Sequence, residues 1–375
     1  MEKEPLCEII KLLSKRSRPI ILLLGNYGEG NVGDEAILRV LVDALQREGI
    51  RIKVPSRRPE ILRSLHRNLK GFEPLSILGA LTVNPDIIVV GGGGLFGKFH
   101  GSFLYFALLY VLFARLILKK PLVIYSVGVG SLSSPLREFV KIIMSHATHV
   151  SVRDRTSLMN VHRIGVHKKV EIISDPVLRM KPPDKRKKNF AKEMLKRKSI
   201  RDNREKIRLV GIVLNGHEII KNHKEFEIAE IIKRLVSHGF KVCFFTFNPS
   251  FTRATSYTDP VCIKRIEEIL SHDRKLGLRL RRRLKLFDYF PPEVTQALLD
   301  EMDMLIPMRY HSIIFAHSLR KPFVAISYDE RCEEFLESIN HEDYVRLKDL
   351  TAELFMEKFL RRLLQHQESR KATNG

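Results

Sequence analysis

The sequence predicts an α/β protein with two successive doubly wound domains and a cleft between them. Short apolar runs alternate with helical patterns along most of the chain, which is typical of a parallel sheet covered on both faces. A strongly basic segment interrupts this alternation near the middle of the chain. The total of 375 residues also exceeds what a single core usually organises.

The first half, residues 1–180, is expected to form one domain, with strands at 20–24, 52–54, 87–90, 122–126, 149–152 and 170–173. Its predicted helices lie near 34–48, 103–118, 136–146 and 156–162. Residues 181–207 are predicted to be a basic linker with a short helix. The pattern then restarts in a second domain, 208–375, with strands at 209–214, 242–245, 284–287, 304–306 and 323–326 and a last helix near 350–364. Ligands of such sheets bind beyond the carboxyl ends of the strands.

The formal net charge of +22 is concentrated in two segments. Residues 181–208 hold 13 basic and 4 acidic residues, and a second basic cluster lies within residues 274–285. Such segments attract nucleic acid, phospholipid headgroups or phosphorylated substrates, although a solvated surface is the alternative. The basic runs lack an alternating series of aromatic residues and any nucleic-acid-binding module, so we do not expect nucleic acid as a partner.

The cysteines and the apolar runs indicate in which cellular compartment the protein is located. The four cysteines are widely scattered and lack metal-ligand spacing, which predicts reduced thiols in a cytosolic protein and no metal site. The N-terminal residues lack the pattern of a secretory signal. The longest apolar run, 102–118, is slightly short for a membrane-spanning helix. We interpret it as a buried helix, with contact to a membrane surface as the alternative, and expect a cytoplasmic protein, either free or peripheral at the inner membrane face.

A glycine-rich loop follows the first predicted strand. Gly28, Gly30 and Gly33 match the spacing G-x-G-x-x-G, and the following helix can hold an anion at its N-terminus. This fingerprint is weakly specific, because no acidic residue ends the second strand and the lysine of a P-loop is absent. Asp34 is either a ligand contact or simply the N-cap of the helix.

Further glycines follow two later strands. The four consecutive glycines 91–94 cost backbone entropy, which suggests that a ligand or another backbone segment passes close to them. Gly128 lies after the next strand, in the segment 126–130. Arg153 follows the strand after that, where it either faces a ligand or pairs with Asp154 or Asp175.

The most informative stretch is the one that contains Arg309 and His311. Both lie just after the apolar segment 304–306, at the start of a predicted helix that presents free N–H groups and a partial positive charge. A guanidinium and an imidazole in this position suit a small anion together with a proton donor. Ser327, Tyr328 and Asp329 end the next predicted strand at the same edge of the sheet.

Taken in order, these motifs resemble the polysaccharide pyruvyl transferase family. The matching segments are 25–35, 86–96, 126–130, 152–154, 175–176 and 303–329, so the resemblance covers most of the chain, roughly residues 20–340. The resemblance implies two Rossmann-like domains in a GT-B-like arrangement with a central cleft. It also implies transfer of a pyruvyl group from phosphoenolpyruvate onto two hydroxyls of a sugar, which gives a cyclic ketal and phosphate. The implied acceptor is a sugar of a polysaccharide or of a lipid-linked glycan precursor.

The residue types agree with this chemistry. Phosphoenolpyruvate is a strongly anionic donor, and arginine forks suit its carboxylate and phosphate. Protonation of its enol carbon needs a general acid, for which histidine is the usual choice. In the family an Arg-x-His motif lies near the donor, so the resemblance assigns Arg309 as the anion clamp and His311 as general acid or phosphate partner. Asp34 or Glu35 is the candidate base, and neither a metal nor a further cofactor is required.

The remaining predicted substrate contacts are glycines and polar side chains at strand ends: Gly28, Asn31, Gly33, Glu35, Gly92, Gly93, Gly94, Gly128, Arg153, Asn215, Ser327, Tyr328 and Asp329. Two positions depart from the family pattern. Asn215 lies where members commonly carry an arginine, and Glu330 and Arg331 lie where members often have a lysine. Two other functions therefore stay open: a GT-B-type glycosyltransferase that uses a nucleotide sugar, and a non-catalytic protein that binds glycans or anions.

Overall fold

The computed structural model describes residues 4–67, 69–96, 102–198, 200, 208–249, 258–272 and 283–374, with the side chains of 102–108 and 369–374 excepted. Most of the basic cluster 274–285 and part of the segment 181–208 lie outside the described residues. The chain divides into two compact units, Met1–Met180 and Lys181–Gly375.

The N-terminal unit is built on a parallel sheet of seven strands in the order β3-β2-β1-β4-β5-β6-β7. The strands are β1 Ile20–Leu24, β2 Arg51–Pro55, β3 Phe72–Leu75, β4 Ile87–Gly91, β5 Leu122–Val127, β6 His149–Val152 and β7 Glu171–Ile172. In this register Ile21 lies between Ile52 and Ile87. The central strands are nearly continuous apolar runs because helices cover both faces of the sheet.

The helices of this unit are α1 Pro5–Leu13, α2 Val32–Arg47, α3 Pro59–Leu65, α4 Ile77–Leu81, α5 Ser102–Leu116, α6 Leu136–His146 and α7 Arg155–Arg163, followed by a 3₁₀ turn at Pro176–Arg179. Alternate strand residues, such as Leu22 and Ile88, share one core cluster with Ala80 of α4, Val111 of α5 and Ile143 of α6. The strand residues between them are also buried, as expected for a sheet covered on its second face.

The C-terminal unit repeats this topology. Its strands are β8 Leu209–Val213, β9 Lys241–Phe245, β10 Leu284–Phe287, β11 Met304–Pro307, β12 Ala325–Ser327 and β13 Tyr344–Arg346. Four of them form a parallel sheet in the order β10-β9-β8-β11, and β12 pairs with β13. A parallel bridge between Leu305 and Phe323 joins β11 to the residues that lead into β12.

The helices of the second unit are α8 Lys185–Arg197, α9 Gly216–Lys221, α10 Glu225–Ser237, α11 Asp259–Ser271, α12 Pro292–Asp300, α13 Tyr310–Ser318, α14 Glu330–Ser338 and α15 Ala352–Asn374. Residues of α10, α11 and α15 bury one face of the sheet in a common core. The basic helix α8 buries Ala191 and Leu195 and packs against α12. Part of the segment predicted as a linker is therefore a helix of the second unit.

Most predicted strands coincide with observed ones, and the order of elements is that of a doubly wound α/β fold. The sequence patterns did not indicate the short elements between β2 and β4, namely α3, β3 and α4. Strand β3 has the sequence Phe-Glu-Pro-Leu, and its glutamate and proline interrupt the apolar pattern that predicts a strand. Among the described residues, no helix is both long enough and apolar enough to cross a membrane.

Candidate active site

The carboxyl edge of the first sheet carries the predicted glycine loops. Strands β1 and β4 are neighbours although the chain first passes through β2 and β3, so their ends form a topological switch point. The loop after β1 contains Gly28, and the loop after β4 contains Gly92 and Gly93. These three glycines have φ angles of 83°, 75° and 77°, a region that costs other residues free energy.

The glycine run after β4 lies tightly against α2. A Cβ at Gly92 would be 2.1 Å from Cγ2 of Ile37, and a Cβ at Gly93 would be 2.5 Å from Oδ1 of Asp34. The absence of these two side chains therefore allows the loop to approach the first turn of a helix. Gly94 is the partly exposed member of the run.

Asn31, Gly33 and Asp34 form the start of α2. Oδ1 of Asn31 accepts hydrogen bonds from the backbone N–H groups of Gly33 at 3.0 Å and Asp34 at 3.3 Å. The N-cap is thus Asn31, and Asp34 is not needed for that role. The partly exposed Asp34 carboxylate accepts a hydrogen bond of 2.8 Å from Nδ2 of Asn26 and adjoins Gly93 at the switch point.

Glu35 is fully buried beneath the glycine loop. Its Oε1 accepts from the backbone N–H groups of Gly28 at 2.8 Å and Gly30 at 3.1 Å, and its Oε2 lies 2.6 Å from Nε2 of His66, which is also buried. A carboxylate committed in this way fixes the conformation of the loop. This geometry gives Glu35 a supporting role, whereas the sequence had suggested a substrate contact or a base.

Gly128 and Arg153 connect the next two loops at this edge. The N–H of Gly128 donates to the carbonyl of Gly93 at 2.9 Å. The Arg153 side chain is 2% exposed and donates to Asp154 at 3.2 Å and Asp175 at 3.1 Å. A Cβ at Gly128 would be 2.9 Å from Nε of Arg153, so the glycine makes room for the guanidinium. Of the two alternatives predicted for Arg153, the structure shows pairing with both aspartates.

The second sheet has its switch point between β8 and β11, where Arg309 follows the strand. Arg309 occupies the N-cap position of α13, and its Nε donates to the carbonyl of Leu214, just after β8, at 3.1 Å. The same Nε donates to Oδ2 of Asp259 at 3.1 Å, and Nη2 donates to Oδ1 at 2.5 Å. Arg309 thus forms a two-point ion pair at the ligand-binding edge of the sheet.

Asp259 connects three loops at this edge. In addition to Arg309, its carboxylate accepts from the backbone N–H groups of Gly216 at 3.1 Å, Phe247 at 3.1 Å and Asn248 at 2.8 Å. The residue has no exposed surface. Loops that follow β8, β9 and β11 are therefore held by one carboxylate, which fixes the direction of the Arg309 guanidinium.

His311 is the second residue of α13 and is partly buried. Its ring meets that of Tyr310 edge to face, with 5.4 Å between the ring centroids. His317 lies at the other end of the same helix, where its ring contacts Phe335 and burial lowers its pKa. The structure therefore places Arg309 and His311 together at one helix start, with His317 at the opposite end.

Asn215 lies beside this site, at the start of α9. Its residue surface is 8% exposed, and its backbone N–H donates to Sδ of Met308 at 3.2 Å. Within the described part of the chain, its side-chain amide makes no hydrogen bond. A neutral amide thus stands at the switch point where the family pattern has an arginine.

Ser327 ends β12, and Tyr328 and Asp329 follow it. Asp329 caps α14 through a hydrogen bond of 3.0 Å from the N–H of Cys332, and Arg331 donates to its Oδ2 at 3.0 Å and 2.5 Å. Burial opposes ionisation of Asp329, but the Arg331 charge and the hydrogen bonds from Arg331 and Cys332 together keep its pKa below the usual value. Ser327 donates to the carbonyl of Asp329 at 3.2 Å, and burial raises the pKa of Tyr328 well above its usual range.

Sequence reasoning missed Asp259 and His66. The order Thr258-Asp259-Pro260 is a recognisable helix start, but no local signal shows that its carboxylate binds an arginine 50 residues later. His66 pairs with a residue 31 positions earlier. Among the described residues, no group of three or more His, Cys, Asp or Glu side chains is arranged to hold a metal ion.

Comparison with known proteins gives a family and a fold. A family model described as polysaccharide pyruvyl transferase matches residues 31–330, which include Gly33 at the end of the first glycine loop, the glycine run 91–94 and the Arg309–His311 motif. A search of curated proteins found no sequence that matches this chain.

Solved structures with a similar fold over most of the chain include a glycosyltransferase, an epimerase and a heptosyltransferase. A glycosyltransferase from Rickettsia africae has a TM-score of 0.60 at 12% identity, with 93% of this chain and 89% of that chain covered. The UDP-GlcNAc 2-epimerase of Methanocaldococcus jannaschii has a TM-score of 0.58 at 14% identity and 91% coverage of both chains. ADP-heptose LPS heptosyltransferase II of E. coli has a TM-score of 0.52 at 15% identity, with 92% of this chain and 99% of that chain covered. The predicted fold class, two Rossmann-like domains of the GT-B kind, is confirmed.

Proposed function

Because this chain belongs to the polysaccharide pyruvyl transferase family, we propose that it transfers a pyruvyl group from phosphoenolpyruvate to a sugar. Membership makes it a transferase of polysaccharide modification. The donor and the product, a cyclic pyruvate ketal with release of phosphate, are the proposed part. The observation that carries this proposal is the position of Arg309 and His311, which lie together at the switch point of the second sheet within the matched region.

The proposed reaction has two bond-forming steps at C2 of the donor. Protonation of the terminal methylene carbon gives a methyl group and an oxocarbenium-like centre at C2, which one sugar hydroxyl attacks. A second hydroxyl then replaces phosphate at C2, and both hydroxyl protons are released to bases or to phosphate. We assign the protonation of the methylene carbon to His311, since imidazole is the side chain whose unperturbed pKa lies nearest neutrality.

Arg309 has a more constrained role than a free clamp. Its Nε and one N–H of Nη2 already donate to Asp259, so Asp259 and the donor would share this guanidinium. We propose that Asp259 orients the guanidinium, and that Arg309 then attracts the donor carboxylate or phosphate. The charge of a buried ion pair is less screened than that of an exposed side chain.

Asp34 is the proposed base for the acceptor hydroxyl. Its carboxylate is partly exposed at the switch point of the first sheet, whereas the neighbouring Glu35 is fully buried and occupied. We propose Gly94 and Asn215 as further substrate contacts, because each lies at a switch point. No metal or cofactor is part of this proposal.

We further propose that the acceptor is a polysaccharide or lipid-linked glycan precursor and that the reaction takes place in the cytoplasm, at or near a membrane. All four cysteines are free and buried. This supports a reducing compartment, since secreted proteins commonly pair their thiols.

Calorimetric titration with phosphoenolpyruvate, UDP-sugars and GDP-sugars tests the donor directly. The wild type is compared with Arg309→Ala and with Arg320→Ala, a control that removes an exposed arginine just after α13. We expect the wild type and the control to bind phosphoenolpyruvate, and Arg309→Ala to bind it at least about tenfold more weakly, since charged hydrogen bonds contribute about 1.5–3 kcal/mol.

Two other results of this titration would favour a different function. Binding of a nucleotide sugar without phosphoenolpyruvate would replace the proposal with a glycosyltransferase reaction. Binding of neither donor, in the presence or absence of lipid-linked glycans, would favour a non-catalytic glycan-binding protein.

A further inference from the structure

The outer surface of α5 and α6 in the N-terminal unit carries a group of exposed apolar side chains. We call it the α5 patch, and it consists of Leu109, Phe113, Leu116, Ile117, Leu118 and Ile142. Phe113 is 51% exposed and Ile117 is 65% exposed. Five of these six residues lie within ten positions of the chain, and Ile142 lies on α6, which packs against α5. Contiguous exposed apolar groups of this kind mark interaction sites.

The patch arises because α5 is apolar on its outer face as well as on its buried face. Val111 and Ala114 face the core and have no exposed surface. Leu109, Phe113 and Leu116 are spaced four and three residues apart, so they form a second apolar stripe on the face that points away from the sheet. An ordinary surface helix would be polar there. The apolar run that the sequence presented as one segment is thus divided by the fold into a buried stripe and an exposed one.

The charged side chains that follow α5 are positive, and the exposed Glu138, one turn before Ile142 on α6, pairs with Arg137. Lys119 and Lys120 follow it directly, and among the described residues neither lysine has a carboxylate partner. The sequence holds no Asp or Glu between Asp86 and Glu138. A surface with exposed apolar side chains, adjacent lysines and few carboxylates is complementary to an anionic lipid bilayer, which takes up apolar groups and attracts cations.

We propose that the α5 patch docks this protein onto an anionic membrane surface, with Phe113 and Ile117 inserted among the lipids and Lys119 and Lys120 at the headgroups. A second copy of the chain is the less suitable occupant. A symmetric contact would gather Lys119 and Lys120 of both copies at one interface, where their like charges oppose association. This inference extends the membrane proximity proposed above and rests on no part of the donor chemistry.

Vesicle flotation tests the inference. The full chain is mixed with vesicles of phosphatidylcholine alone or with phosphatidylglycerol added, for the wild type, Phe113→Ser/Ile117→Ser and Lys119→Gln/Lys120→Gln. Phe226→Ser is the matched control, since Phe226 is 73% exposed on α10 of the other unit. Circular dichroism verifies that each variant is folded.

We expect the wild type and Phe226→Ser to bind only the vesicles that contain phosphatidylglycerol, and to release them as salt rises. The serine double variant should bind at least about tenfold more weakly because two large apolar side chains no longer insert. The glutamine double variant should bind about 25-fold more weakly, since each of the two lysines near an anionic surface contributes about 1 kcal/mol, roughly fivefold.

Several results would overturn the inference: no binding of the wild type to any vesicle, equal binding by the serine variant and the wild type, or a dimer in light scattering that the serine variant abolishes. Calorimetry with phosphoenolpyruvate on the same serine variant separates this question from the reaction. In the wild type, donor binding without vesicle binding would contradict the α5 patch alone, and vesicle binding without donor binding would contradict the proposed donor alone. In the serine variant, we expect donor binding to be kept while vesicle binding is lost.

Discussion

Arg309 and Asp259 form a two-point ion pair, with Nε 3.1 Å from Oδ2 and Nη2 2.5 Å from Oδ1, at the carboxyl edge of the second sheet. The Asp259 side chain is 1% exposed and that of Arg309 is 16% exposed. Because the same carboxylate also accepts three backbone N–H groups, the conformation of this edge and the direction of the guanidinium depend on each other. An arginine that the sequence marks as a ligand contact is therefore also a structural residue.

Replacement of Asp259 by Asn tests this dependence. The variant leaves a largely buried arginine without its counter-ion, and breaking a buried pair in this way costs about 3–5 kcal/mol. We expect urea denaturation to show a loss of that size. Asp184→Asn is the control, since the exposed Asp184 caps α8 and asparagine also caps helices. Equal stability of the two variants would contradict the role assigned to Asp259.

Substitutions of the adjacent carboxylates Asp34 and Glu35 are expected to have opposite effects on turnover and stability. Asp34→Asn should lower turnover by about 10²–10⁴-fold if Asp34 is the general base, with little change in stability. Glu35→Gln should largely keep turnover, because an amide oxygen can still accept from Gly28 and Gly30. Glu35→Ala should lose about 3 kcal/mol or more, since several buried polar groups lose their partner. Steady-state kinetics and urea denaturation on the three variants separate the roles, and a catalytic loss in Glu35→Gln larger than in Asp34→Asn would reverse the assignment.

The sequence predicts the sheets well and the site only partly, for a physical reason. Strands buried on both faces are apolar throughout, so β1 and β4 are visible as local runs. Roles at strand ends depend on partners that are distant in sequence. From the sequence alone, Arg153 could be a ligand contact or an ion-pair partner. The structure places Asp175, 22 residues later in the chain, beside it. Similarly, the role of Glu35 follows from its contact with His66, and no periodic sequence pattern predicts that these two residues meet.

The glycines illustrate the same limit. The run 91–94 indicated that something passes close to the backbone, and the sequence left open whether it was a ligand or protein. At Gly92 and Gly93 the neighbours are Ile37 and Asp34 of α2. The local sequence thus indicates that these glycines lie close to other atoms, whereas only the fold shows which residues those atoms belong to.

His311 and His317 provide a matched pair on one helix. His311→Ala should lower turnover by about 10²–10⁴-fold, the range that general acids contribute, and should leave the melting temperature nearly unchanged. His317→Ala, at the other end of α13, should keep full turnover. Phosphate release from phosphoenolpyruvate in the presence of a glycan acceptor measures both variants. Full activity of His311→Ala would exclude it as the general acid.

The thiols test the compactness of both cores. Burial raises the pKa of Cys7 to about 11 and those of Cys243 and Cys262 to about 12. Since the thiolate is the reactive form, we expect very slow reaction of the native protein with a disulfide reagent at pH 8 and rapid reaction of all four thiols in guanidinium. Rapid labelling of a native thiol would show that a core opens readily.

Asp329 gives the protein a defined sensitivity to acid. Burial opposes ionisation, but the Arg331 charge and the hydrogen bonds from Arg331 and Cys332 hold the pKa of Asp329 below its usual value. A lowered pKa in the folded state stabilises the protein above the pKa of the unfolded chain, near 3.9, and this contribution disappears as the pH falls through the folded value.

Asp329→Asn keeps the helix cap but lacks the charge. The difference in unfolding free energy between wild type and variant should therefore be constant from pH 7 to about 5 and should shrink towards pH 3. Urea denaturation at each pH measures this difference, and Arg331→Gln, which removes the cation, should reduce the same dependence. A difference that stays constant down to pH 3 would show that the ion pair does not set the protonation of Asp329.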